Sequence, residues 1–139
     1  MTNDKHNENQ QRSYKLRKNE ILRGYNTFSE VFSHGNSFEA RAIRMFVLGH
    51  KDKESAVMAG FAVSRSVRRA VDRNRAKRLL REAYRHYKHL LWNVAKENKL
   101  SLSIVFVVKS SNIEQLSLRT IEDDMKVLFK KISTQHFVV

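Results

Sequence analysis

The amino-acid sequence predicts an α+β protein, a single-domain α–β sandwich in which helices pack on a small central sheet. Short runs rich in Val, Ile and Phe alternate with polar joints, as expected of buried strands. Two longer segments place apolar residues every three or four positions, which is typical of amphipathic helices. The chain of 139 residues suits one domain with a modest core.

The first predicted element is a short helix that begins near Thr27. Thr27 is a candidate N-cap, and Glu30 three positions later completes the spacing of a capping box. Gly35 is a candidate for the left-handed position that ends a helix. One face of this helix carries three apolar residues: Phe28, Val31 and Phe32.

Strands and two further helices follow. Residues 42–49 and 56–64 read as strands joined by a polar turn, and residues 102–109 read as a buried strand. A long basic helix is predicted over about 70–95. The last helix begins near Ser117, with one apolar stripe of Ile121, Met125, Leu128 and Ile132. This order of elements predicts helices packed on a sheet.

The termini and composition restrict the class of protein. Residues 1–18 are polar and predict a disordered tail, so that the folded domain covers 19–135. No stretch approaches the ~20 apolar residues of a spanning helix, and the N-terminus lacks the apolar region of a secretory signal. There is no cysteine, hence no disulfide or thiolate metal site. We therefore expect a cytoplasmic protein without a membrane partner.

The charge balance is the main functional signal. The chain has 27 Lys and Arg against 14 Asp and Glu, a net charge of +13, and a pI of about 10.3. Such a chain attracts polyanions, which include nucleic acid, anionic membrane surfaces and acidic proteins. Ten of the basic residues lie between Arg65 and Lys88, opposed only by Asp72 and Glu82.

The long helix separates this charge from its apolar residues. The arc that is predicted to face the sheet carries Ala76, Leu79, Leu80, Ala83, Tyr87, Leu90 and Leu91. The adjoining, exposed arc carries Asn74, Lys77, Arg78, Arg81, Arg85 and Lys88. Arg73 lies at the boundary of the two arcs and Arg75 on the far side. Arginine predominates, which favours paired hydrogen bonds to phosphate oxygens over loose attraction.

Three segments resemble a known family. "AVSRSVRRAV" and "DRNRAKRLLREAYR", with "LRGYNTFSEVFSHGNSF" upstream, resemble the bacterial ribonuclease P protein subunit over roughly residues 22–132. The core of its signature falls here on Arg73, Asn74, Arg75, Lys77, Arg78 and Arg81. One departure is the pair Arg68 and Arg69, where the family commonly has Gly-Asn.

The resemblance implies a fold and a function. The basic helix would lie in a left-handed βαβ crossover, against the general rule for such units. The protein would bind the ribonuclease P RNA subunit and the 5′ leader of precursor tRNA, and promote endonucleolytic removal of the leader. The RNA subunit would carry the catalysis and hold most of the required Mg²⁺. No catalytic residue, metal site, tightly bound cofactor or obligate protein partner is therefore expected in this chain.

The basic stripe and the resemblance together predict the site residues. The RNA-binding set is Arg65, Arg68, Arg69, Arg73, Asn74, Arg75, Lys77, Arg78, Arg81 and Arg85. The set for the precursor leader is Phe28, Phe32, Phe46 and Ser64, because aromatic rings beside positive charge hold single strands. The same three phenylalanines equally suit a core. Arg44 is interpreted as an edge charge on the strand face opposite Phe46.

Two other classes of function are considered. One is a ribosomal or general RNA-binding protein of similar fold without a role in tRNA processing. The other is a nuclease in its own right, which would need clustered carboxylates. The acidic residues are scattered, and the run Glu122-Asp123-Asp124 on the last helix is expected to face water. His86 and His89 lack further metal ligands nearby in the sequence.

Overall fold

The computed structural model describes residues 15–51, 54–109 and 113–133. Its α-helices within these ranges are α1 (Tyr25–His34), α2 (Ala70–Asn98) and α3 (Leu118–Ser133). The strands are β1 (Asn36–Glu39), β2 (Ile43–Lys51), β3 (Val57–Val63) and β4 (Leu100–Val108). Single turns of 3₁₀-helix lie at Lys18–Glu20 and Ile113–Gln115. The predicted α+β class is confirmed, and β1 is an addition to the three predicted strands.

The strands form one sheet in the order β1-β2-β4-β3. β2 pairs antiparallel with β1 and β4, whereas β3 and β4 are parallel. Parallel neighbours need a crossover connection, and α2 provides it between β3 and β4. This is the βαβ unit that the resemblance implies, and its left-handedness stays a prediction. At the free edge of β3, Ile21 makes a single parallel bridge with Ala59.

The two faces of the sheet have different neighbours because side chains alternate along each strand. On one face, Met45 and Val47 of β2 are buried in the main core with residues of α2 and α3. On the other face, Phe46 and Leu48 pack against a smaller cluster that includes Val31 of α1. The protein therefore has three layers, with α1 on one side of the sheet and the two long helices on the other.

The long helices bury most of the predicted stripes. On α3 the four stripe residues, Ile121, Met125, Leu128 and Ile132, are completely buried. On α2 Leu90 was predicted in the core but is 37% exposed, because it lies roughly 80° around the helix from Leu80. Tyr84 is fully buried instead, with its ring 5.7 Å from that of Phe61 and 5.5 Å from that of Phe106.

Two details of the α1 prediction are wrong. The helix begins at Tyr25 rather than after Thr27, with Gly24 as its N-cap at a φ of 95°. Gly35 is not left-handed but extended, with a φ of −78°. A Cβ at Gly35 would lie 2.5 Å from the carbonyl oxygen of Val31. Glycine is needed there because the backbones approach closely.

The acidic run on α3 was expected to face water, and for Asp124 that expectation is wrong. Asp124 is 7% exposed, and its Oδ2 accepts a hydrogen bond of 2.7 Å from the backbone N–H of Ala42. Glu122 lies 3.3 Å from Nδ1 of His86. Only Asp123 of the run is exposed. The buried carboxylate anchors the turn between β1 and β2 to α3.

The predicted tail, residues 1–18, lies mostly outside the described residues. In its described part, Leu16 packs against the main core, and the carbonyl of Lys15 accepts a hydrogen bond of 2.5 Å from Nζ of Lys88. The folded structure therefore includes Lys15 and Leu16 of the predicted tail.

Candidate nucleic-acid interface

The exposed face of α2 carries much of the predicted basic stripe. The apolar stripe of α2 faces the sheet, so the residues between the stripe positions point toward solvent. Arg69 is 75% exposed and forms a long ion pair with Asp72, with Nε 4.0 Å from Oδ2. The turn before α2 adds two further exposed arginines. We define the outward basic surface as Arg65, Arg68, Arg69, Asn74, Lys77, Arg78 and Arg81; all are exposed except Lys77, which is half-buried.

Arg73 has a structural role that the sequence pattern did not show. It lies only roughly 20° around the helix from Leu80, so it points toward the sheet edge. Its Nη1 donates hydrogen bonds of 2.9 Å and 2.8 Å to the carbonyls of Ser64 and Val67. Its Nη2 donates one of 3.3 Å to the carbonyl of Val63. The guanidinium therefore holds the turn that leads from β3 into α2.

Two more arginines of the predicted set have partners within the protein. Nη2 of Arg75 donates a hydrogen bond to the carbonyl of Leu116, in the segment before α3. Arg85 makes a bidentate pair with Glu82, at 2.9 Å and 2.6 Å. The hydrogen bond from Arg85 lowers the pKa of the Glu82 carboxyl below its usual value. Part of the charge of Arg85 is therefore compensated before any ligand binds.

Lys88 was predicted on the exposed arc, and this prediction is wrong. Its side chain is 7% exposed and that of Glu20 is 6% exposed. Nζ of Lys88 donates to the two carboxylate oxygens of Glu20 at 2.9 Å and 3.2 Å. The N-terminal segment covers this part of α2, so the ammonium group is enclosed rather than solvated. This ion pair attaches the N-terminal segment to the helix.

The three predicted phenylalanines come together on the sheet face that α1 covers. The ring centroids of Phe28 and Phe32 are 6.3 Å apart, and those of Phe32 and Phe46 are 4.9 Å apart. Both pairs have edge-to-face geometry, which aromatic quadrupoles favour. Phe32 is 42% exposed, whereas Phe28 and Phe46 are half-buried. We call these three residues the aromatic cluster.

Gly60 allows α1 to lie close to the sheet. Across the sheet, Phe46 of β2 and Gly60 of β3 are both register partners of Val105 in β4. A Cβ at Gly60 would lie 2.5 Å from Cζ of Phe28. The ring therefore occupies the space that a side chain at Gly60 would fill. Helix α1 crosses this row, with Phe28 over β3 and Phe32 beside Phe46.

Arg44 was predicted on the strand face opposite Phe46, and that placement is wrong, because residues two apart in a strand share a face. Arg44 lies on the same face as Phe46, and its Nη2 donates a hydrogen bond of 2.9 Å to Oε1 of Glu39. Glu39 also pairs with Nζ of Lys109 at 2.8 Å. The hydrogen bonds from Lys109 and Arg44 lower the pKa of Glu39 to about 2. This cluster holds β1, β2 and the end of β4 together where the three strands meet.

Ser64 connects the aromatic face with α2. Two residues along each strand from the row of Phe46, Val105 and Gly60, the next row of register partners on the same face consists of Arg44, Val107 and Ala62. Ser64 follows Ala62 by two residues, and its N–H donates a hydrogen bond of 2.9 Å to the carbonyl of Val108. The carbonyl of Ser64 is also a partner of Arg73. The row beside the aromatic cluster therefore leads to the turn that starts α2.

Sequence reasoning missed two features of this surface. Tyr25 is 84% exposed and precedes Phe28 by three positions, so it lies on the same side of α1; that spacing was the available signal. Glu20, the partner of Lys88, had no local signal, because its role depends on a residue 68 positions away.

Within residues 15–51, 54–109 and 113–133, no group of three or more His, Cys, Asp or Glu side chains is arranged to hold a metal ion. None of the helices in these ranges is long and apolar enough to span a bilayer. The expectations about cofactors remain predictions.

An arginine-rich helix face joined to an aromatic sheet face is typical of RNA-binding proteins. Comparison with known proteins gives the family. The family model for ribonuclease P matches residues 16–133. The ribonuclease P protein component of Porphyromonas gingivalis is 38% identical over 117 residues, covering 82% of this chain and 83% of that protein. The component from Clostridioides difficile is 33% identical over 104 residues, covering 75% and 83%.

A solved structure supports the fold independently. The RNase P protein from Thermotoga maritima superposes with a TM-score of 0.63 at 23% sequence identity, covering 81% of this chain and 96% of that one. At this identity the likeness shows the fold alone. Together with the family model, these findings show that the chain belongs to the ribonuclease P protein family.

Proposed function

We propose that this chain binds the catalytic RNA subunit of ribonuclease P and the 5′ leader of precursor tRNA, and so promotes formation of the mature tRNA 5′ end. Membership of the family makes the chain a ribonuclease P component with a role in tRNA processing. The observation that carries the finer proposal is the arrangement of two surfaces. The outward basic surface and the aromatic cluster share no residue, and Ser64 and the turn into α2 join them.

The outward basic surface is suited to the RNA subunit. Arg78 and Arg81 are exposed on one side of α2, and guanidinium groups bind phosphate oxygens through planar pairs of donors. Arg73 and Arg75 brace the protein instead, since their donors bond backbone carbonyls. We therefore assign most of the phosphate contacts to the outward residues and a supporting role to these two.

The aromatic cluster is suited to a single strand. Phe32 is partly open to solvent and lies edge-on to Phe46, so an unpaired base can stack on the exposed ring. The neighbouring row contains Arg44, which can attract the leader phosphates beside the stacked bases. The three rings also pack against the small core cluster. The partial burial of these rings is compatible with the proposed binding role. In the wall of a binding groove, one part of each ring packs against the protein.

Several carboxylates of this chain have structural partners. Glu20 pairs with Lys88, Glu39 with Lys109, Glu82 with Arg85, and the carboxylate of Asp124 accepts from a backbone N–H. This supports a protein that positions RNA, with the hydrolysis and most of the Mg²⁺ assigned to the RNA subunit.

Reconstitution tests the proposal. The full chain is combined with a bacterial ribonuclease P RNA at moderate Mg²⁺, and cleavage of precursor tRNA is measured with and without the protein. We expect the protein to increase cleavage and to strengthen binding of precursor tRNA over mature tRNA. Arg81→Ala should weaken assembly, whereas the matched variant Arg119→Ala, exposed on α3, should not.

Two outcomes would contradict the proposal. Equal binding of unrelated RNAs without any gain in cleavage would favour a general RNA-binding protein. Cleavage of precursor tRNA by the protein alone, persisting after nuclease pretreatment of the sample, would place the chemistry in this chain.

A further inference from the structure

A groove of about 780 Å³ lies between the N-terminal segment and α2. Residues 21–24 form one wall and the helix forms the other, with Phe28 and Phe61 between them. The segment enters this position through the hydrogen bond from the N–H of Leu22 to the carbonyl of Ala59, of 2.8 Å. Gly24 then turns the chain into α1 at a φ of 95°. The groove therefore opens at the free edge of β3, where α1 begins.

The walls of the groove carry mostly positive charge. Arg78, Arg81 and Arg85 line it from α2, and Arg23 lines it from the opposite wall. The acidic residue of the lining is Glu82, which is paired with Arg85. Arg23, Arg78 and Arg81 are exposed, and they approach the space from two sides. This geometry suits a phosphate group, which can accept hydrogen bonds from both walls.

The base of the groove is apolar. Leu22 and Phe61 are nearly buried, and Phe28 is half-buried. The guanidinium carbon of Arg81 lies over the ring of Phe61, 5.9 Å from its centroid, within the range of a cation–π contact. A planar guanidinium over an aromatic ring is a platform on which an RNA base can stack. The volume lies within the range of about 300–1,000 Å³ that is usual for small-molecule sites.

We infer that this groove binds one unpaired nucleotide of RNA, with its phosphate between Arg23 and the arginines of α2 and its base against the apolar floor. The inference rests on the proposed function, because it takes the polyanion to be RNA. The groove shares Phe28 with the aromatic cluster, and Arg78 and Arg81 with the outward basic surface. Phe32 and Phe46 do not line it. An inorganic anion would use the arginines but would leave the floor unused.

The first experiment uses the full chain without RNA and follows NMR signals of groove residues. The probes are uridine 5′-monophosphate, uridine and inorganic phosphate. We expect the nucleotide to bind most tightly and to shift the ring signals of Phe28 and Phe61, which phosphate alone should leave in place. Arg23→Ala should weaken nucleotide binding about tenfold, the effect of one lost hydrogen bond to a charged group. The matched variant Arg119→Ala should leave it unchanged.

The second experiment identifies the source of the nucleotide in the assembled enzyme. If the RNA subunit supplies it, Arg23→Ala weakens binding of that subunit in the absence of tRNA. If the precursor leader supplies it, the variant weakens binding of precursor tRNA but not of mature tRNA. Arg23 is exposed, so a melting curve should show unchanged folding.

Three results would overturn the inference. These are equal affinity for phosphate and nucleotide, equal effects of Arg23→Ala and Arg119→Ala, or no effect of Arg23→Ala on either RNA in the assembled enzyme. Each leaves the proposed function standing provided that the wild-type protein still stimulates cleavage of precursor tRNA. Loss of that stimulation would instead refute the proposed function.

Discussion

The substitution Glu20→Ala tests whether one ion pair holds the N-terminal segment on α2. Both side chains of the Glu20–Lys88 pair are almost inaccessible, at 6% and 7% exposure. Removing the carboxylate deprives Lys88 of two hydrogen bonds, at 2.9 Å and 3.2 Å. The carbonyl of Lys15 and the ring of Trp92, whose centroid lies 5.8 Å from Nζ, remain beside the ammonium group but carry no opposite charge. An uncompensated buried charge typically costs about 3–5 kcal/mol.

That loss is large relative to the stability of a domain, about 5–15 kcal/mol. At roughly 4 °C per kcal/mol for a chain of this size, the Tm should fall by about 12–20 °C. The control is Glu82→Ala, which removes the pair with Arg85, where both side chains are more than a third exposed. Such exposed pairs contribute about 0–1 kcal/mol, so this variant should melt within a few degrees of the wild type.

Urea unfolding measures the same difference at constant temperature. The midpoint of Glu20→Ala should fall with little change in slope, as expected when stability alone changes. A double variant, Glu20→Met with Lys88→Met, should recover much of the loss, since apolar replacements of buried pairs are often neutral. A loss no larger than that of Glu82→Ala would show that Lys88 remains solvated, and would refute the enclosed ion pair.

Three further predictions follow from the surface. Replacing Arg78 and Arg81 by Ala should weaken binding of the RNA subunit and flatten its salt dependence by ~1 unit of slope per lost phosphate contact. Binding titrations over a salt series measure this slope. An unchanged slope would show that these two residues do not contact the RNA phosphates. Phe46→Ala should weaken binding of precursor tRNA relative to mature tRNA, by about 1–3 kcal/mol for one stacked base; equal losses for both tRNAs with a lowered Tm would assign Phe46 to the core. The pKa of Glu39 is lowered from 4.5 to about 2, so the stabilising contribution of this carboxylate should be complete above pH 4.5 and lost as the pH falls through about 2. An NMR titration of Glu39 should show a midpoint near 2, and Lys109→Ala should raise that midpoint. A midpoint near 4.5 in the wild type would contradict the pairing of Glu39 with Lys109 and Arg44.

Most of the fold could be predicted because its signals are local. The stripe of Ile121, Met125, Leu128 and Ile132 is buried as expected, since the period of a helix by itself determines which side chains share a face. The start of α1 could not be predicted from Thr27 and Glu30. Gly24 sets it through a positive φ, which the capping pattern does not show. Strand β1 is short and largely exposed, so it lacked an apolar signal.

The candidate site could be predicted in composition but not in its division of roles. A helical wheel places Lys88 on the same arc as Arg81, although Lys88 is buried beneath the N-terminal segment. It also does not reveal that Arg75 bonds the carbonyl of Leu116, 41 positions away. Both cases need a partner from a distant segment, and helix periodicity contains no information about that partner.

The sequence by itself determined the α+β class, the helix that concentrates arginine, and the family. These three properties follow from residue types at short spacings in the sequence. Neighbouring residues alone decide which side chains share a buried face and where like charges crowd together. Only the tertiary structure decided which arginines face solvent, that Phe28, Phe32 and Phe46 meet on one sheet face, and that an arginine-lined groove opens beside Phe61. The physical reason is that hydrogen bonding and ring packing act between atoms that only the folded chain brings within a few ångströms of each other.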